Sequence, residues 1–156
     1  MFIRPYQIID AEAIAAIYRD AVINTGATAY DAEQIEAWAA YPEDIEEFRR
    51  SLQQGLTLVA LVDEQLVAFG QLHPLDHIAF LYTASQAARQ GYATKIYQKL
   101  ETEAIQQGAT QLQTAASRIS KFFFLKMGYH LIETEIVTRQ GIELERFQMA
   151  KRLRQL

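Results

Sequence analysis

Hydrophobic residues along this chain change their spacing twice, and each change marks a different kind of element. From Ala11 to about Val22, the apolar residues Ile14, Ile17, Ala21 and Val22 recur at helical intervals along one face, with Asp10 placed to cap the helix. Asn24-Thr25-Gly26 stops it. A second helix is predicted after Asp31, because Gln34 follows at capping-box spacing and Ile35 and Trp38 share a face. Pro42 suits the first turn of a third, shorter helix that runs through Ile45 and Phe48 to Leu52 and ends at Gly55. Ahead of all three, Phe2-Ile3-Arg4-Pro5 reads as a short strand, which Pro5 confines to an edge or an end.

The pattern then becomes that of strands. Thr57–Val62, Leu66–Leu72 and Ile78–Tyr82 are apolar runs joined by short polar links, which predicts an antiparallel meander. A helix follows the turn Arg89-Gln90-Gly91-Tyr92-Ala93-Thr94 and is ended by Gly108. Gln111–Ala115 alternates as a strand, and a strand–helix–strand step sets it parallel to Ile78–Tyr82. Ser117 or Ser120 caps a short helix carrying Phe122, Phe123, Leu125 and Met127, closed by Gly128. Tyr129–Arg139 and Ile142–Lys151, joined at Gln140-Gly141, read as a final hairpin. Helices around a mixed sheet make an α/β layered fold.

Composition narrows the class. The 156 residues are expected to form one domain, 1–156, with half of them apolar. No apolar run approaches the roughly 20 residues of a membrane span, and Met1–Pro5 has no basic region followed by a long apolar one, so neither a membrane nor a leader is expected. Cysteine is absent, which removes disulfides, a thiolate nucleophile and Cys-based metal sites and is compatible with a cytoplasmic location. A net charge of −4 argues against nonspecific nucleic-acid binding. The basic cluster Lys151-Arg152-Leu153-Arg154 reads as an exposed chain end. His73, His77 and His130 follow no metal-ligand spacing.

The candidate chemistry starts at Arg89–Thr94. A strand feeding a basic, Gly-containing turn and then a helix N-terminus presents unpaired N–H groups and a favourable dipole to an anion. Gly91 permits close backbone approach, and Arg89 adds donors suited to phosphate, with Tyr92 and Lys95 near enough to join. A single Gly makes neither a dinucleotide fingerprint nor a P-loop, and an ordinary strand–helix connection fits the same residues.

The order of elements, the turn, and Phe123-Phe124-Leu125-Lys126-Met127-Gly128-Tyr129 together resemble the GNAT superfamily of N-acetyltransferases over nearly the whole chain. Tyr30–Trp38 resembles a subgroup of small bacterial members. The resemblance implies a mixed, mostly antiparallel sheet with a splayed central parallel pair, flanked by helices. It implies acetyl-CoA as acyl donor. The family's pyrophosphate pattern, Gln/Arg-x-x-Gly-x-Gly/Ala, falls on Ala88-Arg89-Gln90-Gly91-Tyr92-Ala93, with Thr94 next in line; Ala88 departs from it at the polar first position. Leu81-Tyr82-Thr83 would pair with the pantetheine arm, and Ser117 stands where an Asn often contacts that arm, with Ser120 in the same turn. Phe124 occupies a place often held by Tyr, which in many members is thought to protonate the leaving thiolate; Phe has no proton to give.

Transfer to an amine also needs a base. His73, His77 and Glu133 are candidates by type, and a His beside Asp76 titrates in a useful range, although each also fits a turn or surface position. Tyr30, Trp38 and Tyr41 are implied to line the acceptor pocket, with core packing the competing role for Trp38. The reading is N-acetyl transfer to a small-molecule or protein amine. Two alternatives stand beside it: a weak or inactive CoA-binding protein, motivated by Phe124, and a phosphate-ligand-binding domain without enzyme activity. A homodimer through the C-terminal strands fits the resemblance, and the charged Ile142–Met149 strand fits a monomer equally well.

Overall fold

The computed structural model describes residues 1–154. Its helices are α1 (Ala11–Asp20), α2 (Ala32–Ala39), α3 (Ile45–Leu52), α4 (Tyr92–Gln106) and α5 (Ser120–Lys126). Its strands are β1 (Phe2–Pro5), β2 (Leu56–Val62), β3 (Gln65–Leu72), β4 (His77–Thr83), β5 (Gln111–Ala116), β6 (His130–Arg139) and β7 (Ile142–Arg152). Among the described residues they form one sheet in the order β1-β2-β3-β4-β5-β7-β6, antiparallel throughout except at β4–β5. This is the α/β architecture expected from the sequence: a mostly antiparallel sheet, one parallel pair at its centre, and helices on its faces.

Two apolar layers hold it together, and strand alternation assigns residues to them. Leu58, Ala60, Ala68 and Leu72 face α4, where they meet Ile96, Tyr97 and Leu100. Val59 and Phe69, pointing the other way, pack with Ile14, Tyr18, Phe48 and Leu52 of α1 and α3. Gly70 is required by the first layer, since a Cβ there would stand 2.8 Å from Ile96 Cγ2 and 3.1 Å from Leu81 Cδ1. Gly70→Val is expected to cost about 1–3 kcal/mol by overpacking, read as a lower midpoint of thermal or urea unfolding.

Three local expectations change. Asp10 does not cap α1 with its side chain. Its buried carboxylate instead takes both guanidinium nitrogens of Arg4, at 2.7 and 3.0 Å, and the Gln7 N–H at 2.8 Å, tying β1 to the start of the helical region. Burial alone would raise the Asp10 pKa, but the Arg4 and Gln7 hydrogen bonds outweigh it and hold the carboxyl below its ordinary value. The sign follows. The contact stabilises the fold above the unfolded carboxylate pKa of about 4, and that stability is lost as pH falls through the lower folded value. Asp10→Asn leaves Arg4 with a weaker partner and is expected to cost about 2–4 kcal/mol near neutral pH, with a shallower acid-unfolding curve than the parent.

Pro42 is not in the first turn of α3 either. It lies in a separate 3-10 turn, Tyr41–Glu43, and α3 starts after Asp44, whose side chain accepts from the Glu47 N–H. At the C-terminus, Lys151 and Arg152 of the basic cluster belong to β7, while Arg152 and Arg154 are exposed as expected. Lys151, near the end of β7, bonds Glu101 of α4 at 2.9 Å, and Leu153 is buried. The capping box at Asp31–Gln34 forms as expected.

Candidate active site

β4 and β5 touch as a ladder at only two places, His77 opposite Gln113 and Ile78 opposite Thr114. Beyond Ile78 they diverge, although β4 runs on to Thr83 and β5 to Ala116. Each strand follows its other neighbour: β4 stays with β3 out to Thr83, and β5 stays with β7 out to Ala116. The buried Thr114 hydroxyl donates to the Ile78 carbonyl at 3.0 Å and pins the point of the fork. Past it, the facing backbone groups of the two strands have no ladder partner, a donor–acceptor edge suited to an extended ligand.

The fork opens into a cavity of about 790 Å³, lined on one side by Ile78–Thr83 and on the other by Thr114–Ser117. Its aromatic wall comes from α1, the Tyr41–Glu43 turn and β4. Tyr18 packs 4.8 Å from Tyr82 and 5.7 Å from Tyr41, and Phe80 lies 6.1 Å from Tyr41, centroid to centroid. The Tyr18 hydroxyl donates to the Trp38 carbonyl at 3.1 Å, and burial pushes the Tyr18 pKa upward and that of Tyr82 up to about 12. Opposite, the β6–β7 hairpin contributes Val137, Arg139, Leu144, Glu145 and Arg146. Arg146 is spoken for by Glu135 at 2.5 Å, and Arg118 by Glu145 at 3.1 Å.

His73 and His77 both line the cavity. They sit at the two ends of the β3–β4 link, where the His73 N–H donates to the His77 carbonyl at 2.9 Å. Burial lowers the His77 pKa below its ordinary value; Asp76 opposes this, and Arg146 and His73 reinforce it. The imidazole is therefore neutral at neutral pH and able to accept a proton. Glu133 is placed elsewhere. It is exposed on β6 opposite Gln148, and the cavity is lined by Val137 and Arg139 of that strand, four and six residues further along. At about 3.4 Å per residue, its position on the strand is some 14 Å from Val137.

Ser117, Ser120 and Phe124 line the β5 side. The Ser117 hydroxyl accepts the N–H groups of Ile119 and Ser120, at 3.2 and 3.0 Å, and so organises the first turn of α5. Phe124 is buried against Tyr97, Phe123 and Tyr129, so much of its ring serves the core. Leu81, Tyr82, Thr83, Tyr30, Trp38 and Tyr41 all reach the cavity wall.

The turn adjoins this cavity at Ala88 rather than lining it. Arg89 and Gly91 both have positive φ, 64° and 86°, so the chain kinks twice within three residues before α4. The first helical bond, Lys95 N–H to the Gly91 carbonyl at 3.1 Å, leaves the N–H groups of Tyr92, Ala93 and Thr94 outside the helical ladder at the positive end of a 15-residue helix. A Cβ added to Gly91 would meet nothing within 4 Å, so its surroundings are open to a ligand. The approach to the turn is anchored. Asp20 accepts the Ser85 N–H at 2.6 Å and the Ser85 hydroxyl at 2.9 Å, and α1 continues past Asp20 into a π-turn, Ala21–Thr25, whose residues Ala21 and Thr25 border the cavity.

Residues 26–153 match the family description "Acetyltransferase (GNAT) domain". The chain belongs to the GNAT acetyltransferase family. A solved structure of a GCN5-related N-acetyltransferase (Aminotransferase, Class-II) from Rhodopseudomonas palustris superposes with a TM-score of 0.95 at 34% identity, covering 97% of this chain and 95% of that one. The uncharacterized N-acetyltransferase YafP of Escherichia coli (strain K12) is 28% identical over 148 residues, 94% of this chain and 93% of its own length. The PaiA N-acetyltransferase of Thermoplasma acidophilum, solved in complex with coenzyme A, shares the fold at a TM-score of 0.79 and 20% identity, covering 97% of this chain and 98% of that one.

In this GNAT chain the sequence signal overlooked Tyr18, Phe80 and the hairpin residues Arg139, Glu145 and Arg146. For Tyr18 a signal existed: it lies four residues from both Ile14 and Val22, on the buried face of α1. The hairpin had none, because which strand end borders a cavity depends on tertiary placement.

Proposed function

We propose that this protein moves an acetyl group from acetyl-CoA directly to a primary amine of a small molecule or a protein. The observation that carries the reading is the fork between β4 and β5, with its two-residue ladder and the cavity it opens. A pantetheine arm needs an unpaired strand edge to bond to, and β4 offers one from Ala79 to Thr83. A pyrophosphate needs convergent N–H groups, and the Arg89–Thr94 turn with the α4 N-terminus supplies them. Acetyl-CoA, when bound, supplies the acetyl group as an activated thioester.

The chain's own residues then have distinct tasks. N–H groups on the free edge of β4 can polarise a carbonyl held against that strand. His77, neutral and at the fork, accepts a proton from the acceptor amine at its ring nitrogen, directly or through a water, and His73 is the second imidazole within the same cavity. Tyr18, Trp38, Tyr41 and Tyr82 form the aromatic side on which an acceptor rests and from which water is excluded.

A panel of small amines and amine-bearing peptides, mixed with acetyl-CoA and followed by free-thiol release with mass spectrometry of the product, tests the reading. Amine-dependent thiol release with an acetylated product is expected for at least one acceptor class. No thiol release above the uncatalysed background with any amine, with CoA still bound, would favour the inactive CoA-binding alternative.

A further inference from the structure

The hairpin side of the cavity carries surplus positive charge, and one of its arginines is held with donors to spare. Arg146 of β7 stands directly opposite Glu135 of β6. Glu135 Oε1 accepts from Nε at 2.7 Å and lies 2.5 Å from Nη2, and the same oxygen accepts from Gln148 at 2.8 Å. These contacts engage one edge of the guanidinium and fix its plane. A guanidinium has five N–H donors, and among the described residues those on Nη1 have no hydrogen-bond partner. Arg146 lines the cavity with His77, and its charge is among the causes that lower the His77 pKa. Arg139, on the same face of β6 as Glu135, also lines the cavity. It bonds the adjacent Thr138 carbonyl at 3.2 Å and has no ion pair among the described residues. Three guanidiniums (Arg118, Arg139, Arg146) thus meet two carboxylates (Glu135, Glu145), a net of one positive charge. Glu47, also on the cavity wall, belongs to α3 and is exposed.

A plain amine arrives as an ammonium, which this surplus repels. An amine that also carries a carboxylate brings a group the arginines attract. We propose that the acceptor is an amino acid, that Arg146 binds its carboxylate through the free Nη1 edge, and that Arg139 adds a second cation at the rim. The inference deepens the acetyltransferase reading and rests on it. Glu135 pre-sets the Arg146 fork, so little side-chain freedom is lost when a ligand binds it. A planar fork matches a carboxylate in shape, and one surplus charge matches it better than a doubly charged phosphate. His77, which feels the Arg146 charge, is the neutral imidazole that the amine of such a ligand meets.

The test measures acetylation of the common amino acids, each beside its carboxamide and its decarboxylated amine, by thiol release with mass spectrometry. The parent is expected to favour amino acid over carboxamide by about tenfold or more in kcat/KM, the size of one charge-assisted contact. In Arg146→Gln that preference is expected to fall to within about threefold, through a higher KM for the amino acid. Arg146→Lys restores part of it, and Arg139→Gln lowers it by less. Any loosening of the hairpin by loss of the Glu135 pair falls on acid and amide alike, so the ratio within each variant is the readout. Acetylation by the parent of carboxamides or decarboxylated amines as fast as amino acids, or faster, overturns the proposal and leaves the acetyltransferase reading standing. So does a preference unchanged in Arg146→Gln. No acetylation of any amine by the parent, with acetyl-CoA bound, overturns both.

Discussion

Gly91→Glu is expected to abolish CoA binding while leaving the protein folded. The backbone at Gly91 is left-handed, φ 86°, so any side chain there costs about 1–2 kcal/mol, a small share of a typical domain's stability. No atom lies within 4 Å of the new Cβ, so no clash adds to that cost. What changes is the charge. A carboxylate would stand at the positive end of α4, beside the N–H groups of Tyr92, Ala93 and Thr94 and where a pyrophosphate would bind. Losing charge-assisted bonds and gaining like-charge repulsion is expected to reduce affinity by on the order of a hundredfold or more. Gly91→Ala separates the two effects: the same backbone strain, measurable as a lower melting temperature, with CoA affinity largely kept. Unchanged CoA affinity in Gly91→Glu would mean that the turn holds no phosphate.

The second large effect belongs to His77. Its replacement by Gln keeps size and polarity but removes the proton acceptor, and a loss of about 10²–10⁴ in kcat/KM is expected with CoA affinity unchanged. The pH dependence carries the sharper signature. Because burial lowers the His77 pKa below its ordinary value of about 6.5, activity should rise as pH increases through that lower value and be level above it. Folding follows the same sign: the neutral side chain suits the fold, so its contribution is present above the unfolded pKa and is lost as pH falls through the folded one. An acid limb that persists unchanged in His77→Gln would move the base to His73 or to a water chain.

Much of this architecture could be read from local pattern, and the failures have identifiable causes. Helical spacing placed α1, and a capping box placed α2, because both signals lie within a few residues. The Asp10 assignment failed because Arg4, six residues back on β1, outcompeted the cap. Pro42 failed by two or three residues because the chain used an Asp44 cap beyond an extra 3-10 turn. The candidate site was legible where it is made of consecutive residues, as in the turn around Gly91 or the β4 end at Leu81–Thr83. It was not legible where it is made of meetings. As candidate bases His77 and Glu133 look alike in one dimension; in the fold His77 lines the cavity and Glu133 is exposed on β6. Tyr30, read as an acceptor-side aromatic, has its hydroxyl fixed by a backbone group 88 residues away.

The fork and the turn together predict a ligand with both an adenylate pyrophosphate and a pantetheine arm, and calorimetric titration of the purified protein with acetyl-CoA, CoA and ADP in parallel addresses this most directly. Acetyl-CoA and CoA are expected to bind at similar affinity, each well above ADP, because only they can occupy the open edge of β4. Absence of binding by all three up to about millimolar concentration, a free energy near 4 kcal/mol, would contradict the assignment of the cavity as an acyl-CoA site.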